Sequence, residues 1–151
     1  AGNFELIIPE AENLPKKKVR RVVFCSGKVY FDLLEARQVH GITDTAIIRI
    51  EQLYPFPIPE YAAVLKDYEH VSEIVWCQEE PENQGAWYQI RHRLQEPLRD
   101  DQQLYYAGRP GAAAPASGVF KIHLQQQQAL VEAALDIESK ATKSAKPRKS
   151  K

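Results

Sequence analysis

The sequence predicts an α/β fold, a three-layer αβα body around a mostly parallel sheet. Two observations carry this expectation. Short apolar strand patterns alternate with helical patterns at a roughly regular 25-residue spacing, which gives right-handed βαβ crossovers. The run Ile74 to Cys77 is apolar without alternation, as suits a strand buried on both faces of a parallel sheet.

Val19 to Cys25 is the first strand expected, with Val22, Val23 and Phe24 at its centre. It ends in Cys25-Ser26-Gly27-Lys28. Ser26 reads as a helix N-cap, Gly27 allows close backbone approach, and Lys28 falls in the first helical turn. Such a turn can hold a phosphate or another anion. It serves equally for capping alone, and it is neither a Walker A loop nor a dinucleotide fingerprint. Val29 to His40 has helical spacing, and Gly41 supplies its stop. Thr45 to Ile50 is the second strand. Its Arg49 is either paired with Glu51 or Glu79 or in contact with a ligand, and the ion pair is favoured because buried charge needs a partner.

Pro55, Pro57 and Pro59 fix an extended segment, and Pro59 opens a helix over 60–68. The third strand, Ile74 to Cys77, then runs into an acidic turn, Glu79 to Asn83, before a helix from Gly85 to Leu98. A strand ending in a polar turn that feeds a helix is where open α/β sheets place ligands. Leu104 to Ala107 is the fourth strand. A small-residue loop follows through Gly118, and Phe120 to Ile137 forms the last helix, with Gln125 to Gln128 as one exposed turn.

The flanks differ from the body. Residues 1–18 read as a connecting arm, in which Phe4, Leu6, Ile7 and Ile8 lie extended against some other surface. Residues 19–138 form the α/β domain, and 139–151 read as a basic disordered tail. The whole chain carries 20 Lys plus Arg and 20 Asp plus Glu. Six of those bases and no acid lie in 140–151, leaving 14 bases against 20 acids in residues 1–139, a net of −6. An acidic body argues against nucleic-acid binding. No apolar run approaches the roughly 20 residues of a membrane span. With no Met at any position, the chain reads as a piece of a longer polypeptide.

Chemistry is sparse. His40, His70, His92 and His123 show no zinc-ligand spacing with Cys, His or acids. Cys25 and Cys77 read as reduced thiols packed in the core, on strands near enough to permit a disulfide. Glu79 and Glu80 offer a carboxylate pair with no base converging on it.

Four stretches carry a family resemblance: Val22 to Leu34 (VVFCSGKVYFDLL), Ile47 to Pro57 (IIRIEQLYPFP), Val75 to Tyr88 (VWCQEEPENQGAWY) and Tyr106 to Pro110 (YAGRP). In this order they closely resemble the C-terminal domain of the thiamine diphosphate-dependent, decarboxylating first component of the 2-oxoglutarate dehydrogenase complex, over residues 3–137. The resemblance implies a transketolase C-terminal domain-like fold. It implies an enzyme that decarboxylates 2-oxoglutarate and succinylates a lipoyl group, with thiamine diphosphate and magnesium bound mainly by preceding domains that this chain lacks. The implied partners are those preceding catalytic domains, a second copy in a homodimer, and the dihydrolipoyl succinyltransferase and dihydrolipoyl dehydrogenase of the complex. The implied compartment is bacterial cytoplasm or mitochondrial matrix. No residue of this chain matches a catalytic position. As an effector site for acetyl-CoA or AMP, the matching positions are Ser26, Lys28, Arg49, Gln84 and Arg109. Relatives under acetyl-CoA control have two adjacent Arg where this chain has Gly108-Arg109. The alternative is a nucleotide- or CoA-binding regulatory module of a related thiamine diphosphate enzyme.

Overall fold

A computed structural model describes residues 5–110 and 120–137. Five strands form one sheet: β1 Ile7–Ile8, β2 Arg21–Cys25, β3 Thr45–Ile50, β4 Glu73–Pro81 and β5 Gln103–Arg109. Four helices cover it: α1 Val29–Val39, α2 Ile58–Asp67, α3 Trp87–Gln95 and α4 Phe120–Ala134. The strand order is β1-β3-β2-β4-β5, with β1 antiparallel and the other pairs parallel. The expected three-layer architecture with a mostly parallel sheet is therefore present.

Both faces of the central strands β2, β3 and β4 are dry, which is why these strands read as continuous apolar runs, while the edge strand β5 is only partly covered. Val22, Phe24, Ile48, Ile74 and Trp76 point to one face and pack with Tyr61 and Leu65 of α2 and Ile90 and Leu94 of α3. Val23, Cys25, Ile47, Val75 and Cys77 point to the other, against Val29 and Leu33 of α1 and Leu130, Val131 and Ala134 of α4. The Tyr61 hydroxyl donates to the Leu94 carbonyl at 2.7 Å, tying α2 to α3. Arg21 donates to the Ala134 and Ala133 carbonyls at 2.8 and 3.1 Å, so a buried cation satisfies the C-terminal end of α4.

Several local expectations change. Ile7 and Ile8, expected against some other surface, pair with Ile50 and Arg49 of β3 in their own sheet. Glu10 follows them inward, where both carboxylate oxygens meet the Arg37 guanidinium and Oε1 accepts the Ile47 N–H at 2.7 Å. Ser26 does not cap α1; Lys28 holds the N-cap position without a side-chain cap. The acidic turn is shorter than expected, because β4 continues through Glu79 and Glu80 to Pro81 and pairs there with Arg109. α3 starts at Trp87 and ends at Gln95, inside the Gly85–Leu98 span expected of it. The Tyr54–Pro55 peptide bond is cis. Phe4, the loop over 111–119 and the basic tail lie outside the described residues. Among the described residues no helix is long and apolar enough to cross a membrane.

Cys25 and Cys77 stand in direct register on β2 and β4, both buried and both free thiols. Burial pushes the Cys77 thiol up to about 12, with the Glu79 charge adding to it. Burial raises Cys25 as well, and its Cys77 neighbour adds to the shift. Both are protonated at neutral pH and act as small apolar side chains. Iodoacetamide at pH 8 is expected to alkylate them at least ~100-fold more slowly in the folded chain than in urea, because thiolate and access are both missing. Mass spectrometry of the two peptides measures this, and comparable rates would contradict the packing.

Candidate functional site

The connections set the site. β2 lies between β3 and β4, and the crossovers through α1 and α2 run in opposite directions on opposite faces. The crevice beyond the C-terminal ends of β2 and β4 is thus the switch point at which open α/β sheets bind ligands. Lys28, after β2, and Glu79, near the end of β4, face each other across it, with Nζ to Oε1 at 3.1 Å. Lys28 is 82% exposed and Glu79 is 17% exposed, so the pair adds little stability but places a cation and an anion at the mouth.

Glu79 belongs to a larger polar cluster. Gln127 of α4 donates through Nε2 to Glu79 Oε1 at 2.8 Å and to Asp32 Oδ2 of α1 at 2.9 Å. Its Oε1 accepts from Arg109 Nη2 at 2.9 Å. Arg109 is buried and also donates Nη1 to the Glu79 carbonyl. Its Nε is buried with no hydrogen-bond partner among the described residues. One amide therefore bridges two carboxylates and a guanidinium. These carboxylates are held by donors and not aimed at an open reaction space, which suits binding and packing better than proton transfer.

The five positions expected to bind an effector are only partly brought together. Lys28 and Arg109 converge on Glu79. Ser26 is half-buried just after β2. Arg49 is on the next strand, its guanidinium 5.5 and 5.6 Å from the Tyr30 and Phe31 rings. Its Nε lies 2.5 Å from Glu51 Oε1, an ion-pair contact not aligned as a hydrogen bond, and neither atom has a hydrogen-bond partner among the described residues. The ion pair with Glu51 favoured from sequence is thus observed. Gln84 is exposed in the turn after β4, where its backbone N–H donates to Pro81.

Two residues of this region escape sequence reasoning. Gln127 looks like part of an exposed glutamine turn, and its only signal is its helical phase with buried Leu130 and Val131. Gln78 looks like the place where an apolar run stops, yet it is buried and uses all four of its hydrogen-bonding positions. No group of three or more His, Cys, Asp or Glu among the described residues is placed to hold a metal ion.

Residues 1–135 match the family described as 2-oxoglutarate dehydrogenase C-terminal. The chain belongs to that family. The 2-oxoglutarate dehydrogenase E1 component of Cupriavidus necator is 54% identical over 133 residues, which are 88% of this chain and 14% of that protein. The E1 component of Haemophilus influenzae is 52% identical over 134 residues, 89% of this chain and 14% of its own length. The chain thus spans about a seventh of these relatives. Among solved structures, a split gene transketolase in an inactive beta4 tetramer superposes with a TM-score of 0.54 over 80% of this chain and 40% of that one, at 13% identity. That likeness establishes a transketolase-like C-terminal fold. The basic tail lies beyond the family match.

Proposed function

We propose that this chain is the C-terminal assembly and regulatory domain of a thiamine diphosphate-dependent 2-oxoglutarate dehydrogenase first component, with residues 19–138 as the domain body. The observation that supports it is the match across residues 1–135, joined to relatives named as E1 components of which the chain is a seventh. In the parent enzyme 2-oxoglutarate is decarboxylated and its succinyl group passes to a lipoyl group on the dihydrolipoyl succinyltransferase. Dihydrolipoyl dehydrogenase completes the complex. The parent works as a homodimer, in bacterial cytoplasm as its bacterial relatives favour, or in a mitochondrial matrix.

The described side chains do not fit thiamine diphosphate with magnesium. Asp32 and Glu79 already share the Gln127 amide, and Glu79 also meets Lys28. Holding the cofactor is therefore assigned to the preceding domains, and no step of the reaction is routed through these residues. The 151-residue chain, given thiamine diphosphate, magnesium and 2-oxoglutarate, is expected to release no carbon dioxide, whereas the parent enzyme does. Measurable turnover by the fragment would reject the assembly role.

The regulatory part rests on Ser26, Lys28, Arg49, Gln84 and Arg109 as a site for the phosphates of acetyl-CoA or AMP. The exposed Lys28 ammonium and the unpartnered Arg109 Nε at the switch point support it. Titration calorimetry of the parent enzyme is expected to show about tenfold weaker effector binding for Lys28→Ala, the loss of one charge-assisted hydrogen bond. Absence of heat with the unmodified enzyme would reject this site.

A further inference from the structure

The crevice at the switch point already holds an anion of its own. Glu79 Oε1 accepts from Lys28 Nζ at 3.1 Å and from Gln127 Nε2 at 2.8 Å. A phosphate oxygen makes the same demand on an ammonium as a carboxylate oxygen does. Glu79 is not there to cap a helix, because it lies within β4 and α3 begins only at Trp87. Nor does proton transfer use it, since its carboxylate is turned to donors.

The two ends of the Lys28–Glu79 pair are held differently. Lys28 is exposed, and an ammonium on a flexible stem turns readily to another acceptor. Glu79 is half-buried and tethered twice. Its side chain is held by Gln127, which also donates to Asp32 at 2.9 Å and accepts from Arg109 Nη2 at 2.9 Å. Its backbone carbonyl accepts from Arg109 Nη1. When the pair opens, the ammonium moves and the carboxylate stays.

Charge balance gives that arrangement a consequence. Lys28 and Arg109 face Glu79 and Asp32 within one cluster, and Arg49 is matched by Glu51 beside it. An approaching anion therefore meets little net positive field. What it finds open is Arg109 Nε, buried without a hydrogen-bond partner among the described residues. An unpaired donor on a buried guanidinium is costly and draws an anion. To gain Lys28 as well, that anion must take it from Glu79.

We infer that the Glu79 carboxylate is a resident competitor for Lys28, which an anionic effector displaces on binding, so that Glu79 sets the effector concentration to which the site responds. This rests on the effector-site reading above. The ligand class it favours is a phosphate monoester, whose charge of about −2 exceeds that of one carboxylate. A neutral nucleoside does not engage the competition.

The test is titration calorimetry of the full-length parent with AMP and with adenosine. The parent is unmodified or carries Glu79→Gln, Lys28→Ala or both. Glutamine keeps an oxygen for Gln127 and removes the charge. Glu79→Gln is expected to bind AMP about tenfold more tightly, as Lys28 is released to make one charge-assisted hydrogen bond. In the Lys28→Ala background the same change should gain less than about twofold, because the contested cation is gone. Glu79→Asp withdraws the carboxylate from Lys28; it is expected to tighten AMP binding in the same direction and serves where the glutamine variant unfolds. Equal gains with and without Lys28 overturn the inference, since Glu79 then only repels the ligand. Adenosine tightened as much as AMP overturns it too. Heat from the unmodified parent with no gain in either Glu79 variant rejects the competitor and leaves the site, whereas no AMP heat from the unmodified parent rejects the effector reading itself.

Discussion

Replacing Glu10 by Ala is expected to lower the unfolding free energy by about 3–5 kcal/mol, the cost of leaving a buried charge without its partner. Arg37 is 2% exposed and Glu10 6% exposed at the side chain. The pair is bidentate, and Glu10 also accepts the Ile47 N–H, while Arg37 donates to the Thr45 carbonyl at 3.1 Å. Removing the carboxylate leaves a guanidinium that cannot deprotonate with only the Thr45 carbonyl and the exposed Glu12 carboxylate 3.6 Å away, and strands a β3 N–H beyond the reach of the two-residue β1. Exchanging both partners for Met is expected to recover part of the loss, because an apolar pair carries no desolvation penalty. Burial works to raise the Glu10 carboxyl, but its hydrogen bonds from Arg37, Ile47 and Glu12, with the Arg37 charge, outweigh it and hold the group below its ordinary 4.5. A carboxyl depressed by folding stabilises the fold above its unfolded value and loses that contribution as pH falls through the folded value. The gap between the unmodified chain and Glu10→Ala should therefore be full at pH 7 and shrink below about pH 4.5. Urea unfolding at a series of pH values measures it. A gap under 1 kcal/mol at neutral pH would show that residues 5–10 are dispensable.

This pair marks where the sequence is readable and where it is not. The stretches 21–25, 45–50 and 74–77 announce themselves because each is buried on both faces, and apolar continuity is a local property, whereas the run of β4 on through Glu79 and Glu80 to Pro81 is neither apolar nor fully buried and does not. The helices announce themselves by spacing, and Gly41 by its stop, with φ of +61° in the structure. Glu10 and Arg37 are 27 residues apart, and nothing local to either says that they meet. An arm containing Pro, Glu and Lys has the composition of a linker, so its role as a sheet edge is decided only by what lies beside β3. Gln127 fails for the same reason: its partners Asp32 and Glu79 are 95 and 48 residues away. Arg49 was readable because its partner, Glu51, is two residues on. Chemistry carried by neighbours in the chain is legible, whereas chemistry assembled by the crossovers requires the fold.

Gln78→Ala is expected to cost about 3 kcal/mol, since it leaves several buried polar groups unsatisfied at once. The Gln78 Oε1 accepts from Trp76 Nε1 at 2.9 Å and from the Trp87 N–H at 3.1 Å. Its Nε2 donates to the Glu80 and Pro81 carbonyls, both at 3.1 Å. This amide thereby fixes the turn between β4 and α3, and it explains the glycine in that turn. A Cβ on Gly85 would stand 2.5 Å from Gln78 Nε2 and 2.7 Å from Cδ, and an amide held by four hydrogen bonds cannot move aside. Gly85→Ala is accordingly expected to destabilise by about 2 kcal/mol through overpacking. The two changes should not add: with Ala at 78 the space for the new methyl is open, so the double variant should fall at least about 1 kcal/mol short of the sum. Additivity within about 0.5 kcal/mol would sink the steric account. Gln78→Glu separates hydrogen bonding from shape. Its second oxygen would face two carbonyls, so folding disfavours the charged form and raises the carboxyl above its unfolded value. That penalty is complete at pH 7 and recedes as pH falls toward the unfolded value, opposite in sign to the Glu10 contribution. Melting temperatures of Gln78→Glu relative to the unmodified chain, converging between pH 7 and pH 5, are the expected signature. A constant difference would mean that the amide protons do not hold the turn.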